Sequence, residues 1–367
     1  MCPRPVRRPH RPARAAVALG ASVLAGLAAT LVAPVVHQQP SATGRPGTVA
    51  GAPVAGATAA GATVSGAPVS TGAPTLTRVA LARRDGTVTG DGHTVYVANR
   101  TEFRPRRTEI DLPPRLRARS WVAVDLDTGR ILGKHRARAH LPQASTMKLL
   151  SAVTAARTVP RTTPHRVTRF EARQICSCAG LVPGAKYHRD TLMAGMLLPS
   201  GNDAAEALAG SHPRGRFAFY AAMNRVARRL GAGDTVARNA SGLTAAGSHS
   251  SARDLVILLR AALDTPSVVT VLGMRSAEIA TIRGKHRHTV WRGTDYVNRY
   301  PGSLGKSGWT TPAKNTLVVV TEVGGHRIAV ATMGAPDGHS TKGARRLTLW
   351  AGTNFAGLLA VGRLPLS

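Results

Sequence analysis

Three short motifs stand in order along this 367-residue chain: Ser145-Thr146-Met147-Lys148, Ser200-Gly201-Asn202 and Lys306-Ser307-Gly308. Together they supply a serine to attack, amines to move its proton, and a cationic pocket for a carboxylate. No single motif carries that reading, because S-x-x-K occurs again at Ser303-Leu304-Gly305-Lys306. Their order and local context do. Ser145 and Lys148 fall in a run of good helix formers, 145–156, bracketed by Pro142, Pro160 and Pro164. A helix there puts both residues on one face. Unpaired N–H groups at its start suit an oxyanion beside Ser145. A neutral Lys148 amine could take the hydroxyl proton, provided burial or another cation lowers its pKa. Arginine could not, since it keeps its proton in proteins. Of 49 basic residues 42 are arginine, yet two of the seven lysines fall in these motifs. Taken alone, Ser145 and Lys148 would read as a capping serine and a solvated lysine.

Around the second motif, an apolar helix end breaks at Pro199, a polar turn follows, and an alanine-rich helix restarts near Asp203. Ser200 and Asn202 alternate across that turn, so both side chains could reach one cleft. The hydroxyl can relay a proton, and the carboxamide can position a substrate amide or Lys148. The plain alternative is a helix capped by Asn202. The third motif opens a sheet. Residues 304–310 precede strand-like runs at 316–321 and 327–332, joined at Gly324-Gly325, an antiparallel meander. Gly308 leaves room for a substrate backbone to lie along the strand, while Lys306 and the Ser307 hydroxyl can hold a terminal carboxylate. The alternative is an edge-strand lysine between turn glycines.

The elements that must position these groups occupy residues 118–362, enough for one well-buried domain in two lobes. Residues 121–126 and 130–134 pair as a first hairpin across 127–129, helical patterns fill the middle, and the strands after Lys306 return to that sheet. A last helix is expected from about Lys342 to Leu359. The order predicts a mixed α/β fold: an antiparallel sheet with flanking helices, a helical lobe, and the cleft between them. Upstream, 77–117 reads as a small hairpin, with strands at 78–81, 87–88 and 94–98, followed from 104 to 119 by an Arg- and Pro-rich linker; no function attaches to it. Residues 37–76 are an Ala/Gly/Pro/Thr-rich flexible tether. Residues 1–14 form a basic n-region, and 15–36 are uncharged and long enough to span a bilayer. The arginines ahead of that span send the rest of the chain outward. The reading favours an uncleaved anchor over a cleaved signal, and either places the catalytic domain on the outer side of the membrane.

S-x-x-K, S-x-N and K-[TS]-G in this order resemble the penicillin-recognising serine enzymes. The contexts 144–149, 198–205, 239–243, 251–255 and 306–310 more closely resemble serine-type D-alanyl-D-alanine carboxypeptidases, low-molecular-mass penicillin-binding proteins of β-lactamase/transpeptidase-like fold. The resemblance implies a catalytic set of Ser145 as acyl-enzyme nucleophile, Lys148 as general base, and Ser200 with Asn202 as relay and positioning pair. It implies a substrate-binding strand of Lys306, Ser307, Gly308, Trp309 and Thr310. The backbone N–H groups of Ser145 and Trp309 would form the oxyanion hole. Threonine is more usual at 307, but the hydroxyl survives. The implied substrates are peptidoglycan stem peptides, with β-lactams as covalent inhibitors.

The alternatives are an endopeptidase, transpeptidase or β-lactamase on the same fold, or a catalytically silent wall-binding protein. A β-lactamase needs an acid to activate the deacylating water. Among Asp203, Glu206, Asp234, Asp254, Asp264, Glu278 and Asp295, none sits in an obvious E-x-x-L-N context. The chemistry calls for no metal and no cofactor, and His286 and His288 flank Arg287 in a basic stretch without zinc-site spacing. A formal charge of +31 is spread along the chain without a nucleic-acid-binding module, so no nucleic-acid partner is expected. Anionic wall polymers and lipid headgroups suit it better. A monomer is expected. Cys176 and Cys178 read as a free pair or a labile disulfide, outside catalysis.

Overall fold

Alternation of apolar side chains sets the centre of the molecule. In Ser120–Asp125, Lys314–Val323 and His326–Ala335, successive residues face opposite sides of a sheet, and both sides are buried. Val122, Val124, Val318, Val320, Ala329 and Ala331 join one core, while Trp121, Ala123, Leu317, Val319, Ile328 and Val330 join the other. The computed structural model describes residues 87–89, 96–98, 100–106, 109–175 and 177–365.

Among these residues an eight-stranded sheet runs, neighbour to neighbour, through Leu304–Thr310, Lys314–Val323, His326–Ala335, Ser120–Asp125, Ile131–His135, Thr101–Pro105 and Leu358–Leu359, with Tyr96–Ala98 also on Thr101–Pro105. All its pairings are antiparallel. Ser340–Thr353 covers one face through Leu347 and Trp350. The other face meets the helical lobe, and the expected mixed α/β architecture is present. At the middle of that lobe lies Lys148–Thr158, buried at every position from 148 to 155. A helix enclosed on all sides cannot shift without moving its neighbours, which suits one that carries a catalytic base. Arg189–Leu197, Asn202–Gly210, Gly215–Arg229 and Ala252–Leu263 surround it.

Two of the predicted hairpins form, at 125–131 and through Gly324-Gly325; in the third, 87–88 and 94–98 do not pair with each other, since Thr87–Thr89 meets Glu109–Asp111 and Tyr96–Ala98 meets Thr101–Pro105. Two further readings need correction. The stretch 104–119 is no linker throughout: Thr101–Pro105 belongs to the main sheet, and Glu109–Asp111 pairs with Thr87–Thr89. Burial of Phe103 and Ile110 overrides the Arg/Pro composition. The last helix ends at Thr353, not Leu359. There the Asn354 side chain donates to Trp350 O and accepts from Asp111 N, and the chain turns to pair Leu358–Leu359 with Thr101–Pro105. Of the two states left open for the cysteines, Cys178 takes the disulfide; the other two cysteines, Cys2 and Cys176, lie outside the described residues. So do the n-region, the 15–36 span, the 37–76 tether and the strand expected at 78–81. Among the described residues no single helix is long and apolar enough to cross a membrane.

Candidate active site

Ser145 sits in a 3-10 turn, Ala144–Met147, that runs directly into the buried helix. Residues three apart eclipse in such a turn, and Lys148 Nζ lies 2.8 Å from Ser145 Oγ. Two side-chain hydroxyls fix the turn by donating to Gln143 O: Thr146 Oγ1 from within it, and Thr316 Oγ1, at 2.9 Å, from the sheet. Ala144 is held at φ +47°, a strained position for a residue with a side chain.

Lys148 is fully buried and has three neighbours. Its Nζ donates to Asn202 Oδ1 and to Ser241 O, each at 2.7 Å, and faces Ser145 Oγ. Asn202 Nδ2 donates to Ile175 O, which fixes which end of the carboxamide meets the lysine. Both partners other than Ser145 can only accept. A neutral amine therefore spends its two N–H groups on them, and its lone pair is left for the Ser145 hydroxyl. Burial pushes the Lys148 pKa well below its ordinary value; the Lys306 charge adds to this, against weaker support from Glu206 and Asp203.

The second motif lies where expected, with two refinements. The helix restarts at Asn202 itself, and its N-cap is Gly201, so Asn202 is not the cap. Ser200 adopts φ +64° between the two helices, in the left-handed region that a serine enters only under constraint. The conformation brings its Oγ within 3.0 Å of Lys306 Nζ. Lys306 also donates to Ser307 O at 2.8 Å. It is 2 % exposed, and burial pushes its pKa down to about 7.

The strand Leu304–Thr310 is the sheet's edge, with its free side toward the cleft. Gly308 touches the nucleophile turn, since a Cβ there would stand 2.5 Å from Ser145 N. Ser307 Oγ lies 3.4 Å from Thr294 Oγ1, and Thr310 Oγ1 lies 3.4 Å from Thr244 Oγ1 on the opposite wall. Trp309 stands 55 % exposed at the rim. All nine predicted residues are thus brought together: eight line a cavity of about 600 Å³, and Lys148 lies beneath it.

Sequence reasoning missed the groups that hold this set. Asn239 accepts from Gly242 N at 2.8 Å and donates to Leu243 O at 2.9 Å, closing the 239–243 loop on itself. That loop aims Ser241 O at Lys148. Gly242, at φ +80°, passes so near Ala144 O that no side chain would fit. The Asn-x-x-Gly turn pattern was the available signal. Two acids weighed as water activators are occupied instead. Asp203 accepts from the amides of Ala179, Gly180 and Leu181, and Glu206 accepts from Ala240 N and the Tyr220 hydroxyl.

A family model described as D-alanyl-D-alanine carboxypeptidase, peptidase family S11, matches residues 107–337. The D-alanyl-D-alanine carboxypeptidase DacB2 of Mycobacterium tuberculosis is 36% identical over 220 residues, 59% of this chain and 74% of that protein. DacD of Escherichia coli, of the same description, is 29% identical over 280 residues, 71% of this chain and 68% of its own. The solved structure of a D-alanyl-D-alanine carboxypeptidase from M. tuberculosis aligns with a TM-score of 0.63 at 32% identity, covering 70% of this chain and 98% of that one. A Streptomyces DD-transpeptidase shares the fold, with a TM-score of 0.62 at 24% identity over 66% of this chain and 99% of that one. With the matched segment spanning the nucleophile turn, the relay turn and the edge strand, the chain belongs to the D-alanyl-D-alanine carboxypeptidase family.

Proposed function

We propose that this chain removes the terminal D-alanine from peptidoglycan stem pentapeptides through an acyl-enzyme on Ser145. The observation that carries the reading is the acceptor-only environment of Lys148, which leaves the amine lone pair facing the Ser145 hydroxyl. The peptide lies antiparallel along the free side of Leu304–Thr310, and its terminal carboxylate is held by the Lys306 ammonium and the Ser307 hydroxyl. Ser145 Oγ attacks the carbonyl of the penultimate D-alanine while Lys148 takes the proton. N–H groups of Ser145 and Trp309 receive the oxyanion. As the C–N bond breaks, the proton passes to the leaving amine, with the Ser200 hydroxyl as relay. Water then attacks the ester, gives its proton to Lys148, and restores Ser145.

The same acyl-enzyme admits endopeptidase or transpeptidase turnover, which differ only in the flanking peptide and the acceptor. The cleft lining holds no Asp or Glu among the described residues. That favours a slowly deacylating penicillin target over a β-lactamase. The basic n-region and apolar 15–36 segment support an outward-facing, membrane-held or secreted enzyme. The test is D-alanine release from diacyl-L-Lys-D-Ala-D-Ala by the parent chain and by Ser145→Ala, with fluorescent penicillin labelling beside it. Release and labelling by the parent alone are expected. Labelling that survives Ser145→Ala refutes the nucleophile, and labelling of the parent without release moves the reading to cross-linked substrates.

A further inference from the structure

A second cavity, of about 500 Å³, lies apart from the catalytic cleft and shares no lining residue with it. One wall is the antiparallel strand pair of His165–Arg166 and Lys186–Tyr187; the other is the turn joining Ser276–Ala280 to Arg287–Trp291. Arg166 and Lys186 stand on the first wall, Arg283, Lys285 and His286 on the second, and among the described residues no Asp or Glu lines the space. Val182, Pro183 and Ile282 add apolar lining.

The walls are built rather than loose. Ile282 N donates to Lys186 O at 3.0 Å, and the turn closes on itself through Thr281 N to His286 O and Gly284 N to Thr281 O. His288 Nε2 lies 2.6 Å from Ala179 O, tying the basic stretch to the segment that Asp203 pins. Elsewhere some arginines pair with carboxylates, as in Arg138 with Asp234, Arg161 with Asp190 and Arg299 with Asp295. Here, among the described residues, Arg166, Lys186, Arg283 and Lys285 have no carboxylate within 4.0 Å. Two of the five lysines outside the catalytic motifs stand in this one cavity. Like charges gathered without counter-charge raise the local anion concentration and repel one another until an anion arrives.

We propose that this cavity binds a polyanionic chain of phosphodiester-linked polyol units. Arginine forks and lysine point charges on two facing walls suit the oxygens of successive phosphates. The apolar lining accepts the carbon stretch between them. A recessed site takes in a flexible strand more readily than a flat bilayer surface. The ligand would hold the enzyme on an anionic polymer while leaving the catalytic cleft open.

The experiment is fluorescence anisotropy of labelled poly(glycerol phosphate) with the full chain in neutral detergent, across 50 to 300 mM NaCl. Four cations at about −0.7 per neutralised phosphate give a log–log salt slope of about −3. The variant Arg166→Gln, Lys186→Gln, Arg283→Gln, Lys285→Gln should lose at least tenfold in affinity at 100 mM salt. A charge-matched control, Arg228→Gln, Arg229→Gln, Lys342→Gln, Arg346→Gln, alters only exposed residues elsewhere and should lose less than threefold. Arg166 donates to Gly184 O at 2.7 Å, so a triple variant that keeps Arg166 guards against misfolding. Unchanged penicillin labelling and melting of every variant verify the fold. Equal loss in cavity and control variants overturns the site in favour of net charge. No binding by the parent, or equal binding of neutral dextran, also overturns it. Phosphatidylglycerol vesicles captured through the four cavity residues, with the polymer ignored, would replace the polymer with a membrane surface.

Discussion

One methyl group tests a close contact between the edge strand and the nucleophile turn. A Cβ at position 308 would stand 2.5 Å from Ser145 N, 2.9 Å from Thr316 Oγ1 and 3.0 Å from Ala144 Cβ. Opening the first contact to 3.4 Å, where ordinary van der Waals contact begins, requires a shift of roughly 0.9 Å. Neither neighbour yields easily. Ser145 N belongs to the nucleophile turn, and Thr316 Oγ1 is already bonded to Gln143 O at 2.9 Å. The edge strand must therefore back away from the nucleophile. A displacement near 1 Å costs on the order of 100-fold in rate, or about 2.7 kcal/mol of barrier. Overpacking should destabilise the fold by only about 1–3 kcal/mol. The assay is the second-order rate of acylation by fluorescent penicillin, with thermal unfolding measured beside it. Gly308→Ala should fold, melt a few degrees early, and acylate about 100-fold more slowly. Gly233→Ala, where a Cβ meets nothing within 4 Å, is the control for losing a glycine. A Gly308→Ala enzyme acylated within threefold of the parent would refute the reasoning, because the strand would then have room to spare.

The pH profile of acylation should show an acid limb set by Lys148. The amine is a base only when neutral, so the rate falls about tenfold per unit below its pKa. Burial and Lys306 place that limb well below the ordinary lysine value of 10.5, and a limb near 10.5 would contradict the assignment. Glu206→Gln removes a negative charge that favours the Lys148 ammonium while keeping an acceptor for Ala240 N, so the limb should move to lower pH. An unmoved limb would leave Glu206 with a structural part alone.

What could be read in advance was the chemistry carried by side chains at short spacing. Ser145 and Lys148 meet because three residues of tight helix bring them together, and Lys306, Ser307 and Gly308 share one strand. What stayed hidden was backbone. Ser241 O meets Lys148 across 93 residues of chain, and Ile175 O meets Asn202 across 27. A carbonyl has no residue type to announce it. Asp203 and Glu206 read as candidate acids because sequence gives their charge but not the amides that occupy it. The misread stretch before Arg119 has the same origin in reverse: Arg and Pro imply a linker locally, while Phe103 and Ile110 are claimed by a distant core.

Burying two amines beside one cleft works against folding, and that opposition makes the chemistry available. Moving Lys306 from an ordinary pKa of 10.5 to about 7 corresponds to roughly 5 kcal/mol against keeping it charged there. Lys148 is shifted in the same direction. Between the depressed folded values and the unfolded value near 10.4, the unfolded chain holds more protons than the folded one, so this contribution to stability improves as pH rises. A solvated lysine would avoid the cost, and at neutral pH it would remain an ammonium with no lone pair for Ser145. The surrounding acceptors resolve the conflict unequally. Lys148 has two acceptor-only partners and a hydroxyl, a set that a neutral amine satisfies completely. Lys306 has a hydroxyl and a carbonyl, which leaves one ammonium N–H for a substrate carboxylate. Two lysines in one desolvated cleft thus take different parts, base and anion holder, because different acceptors were placed around them.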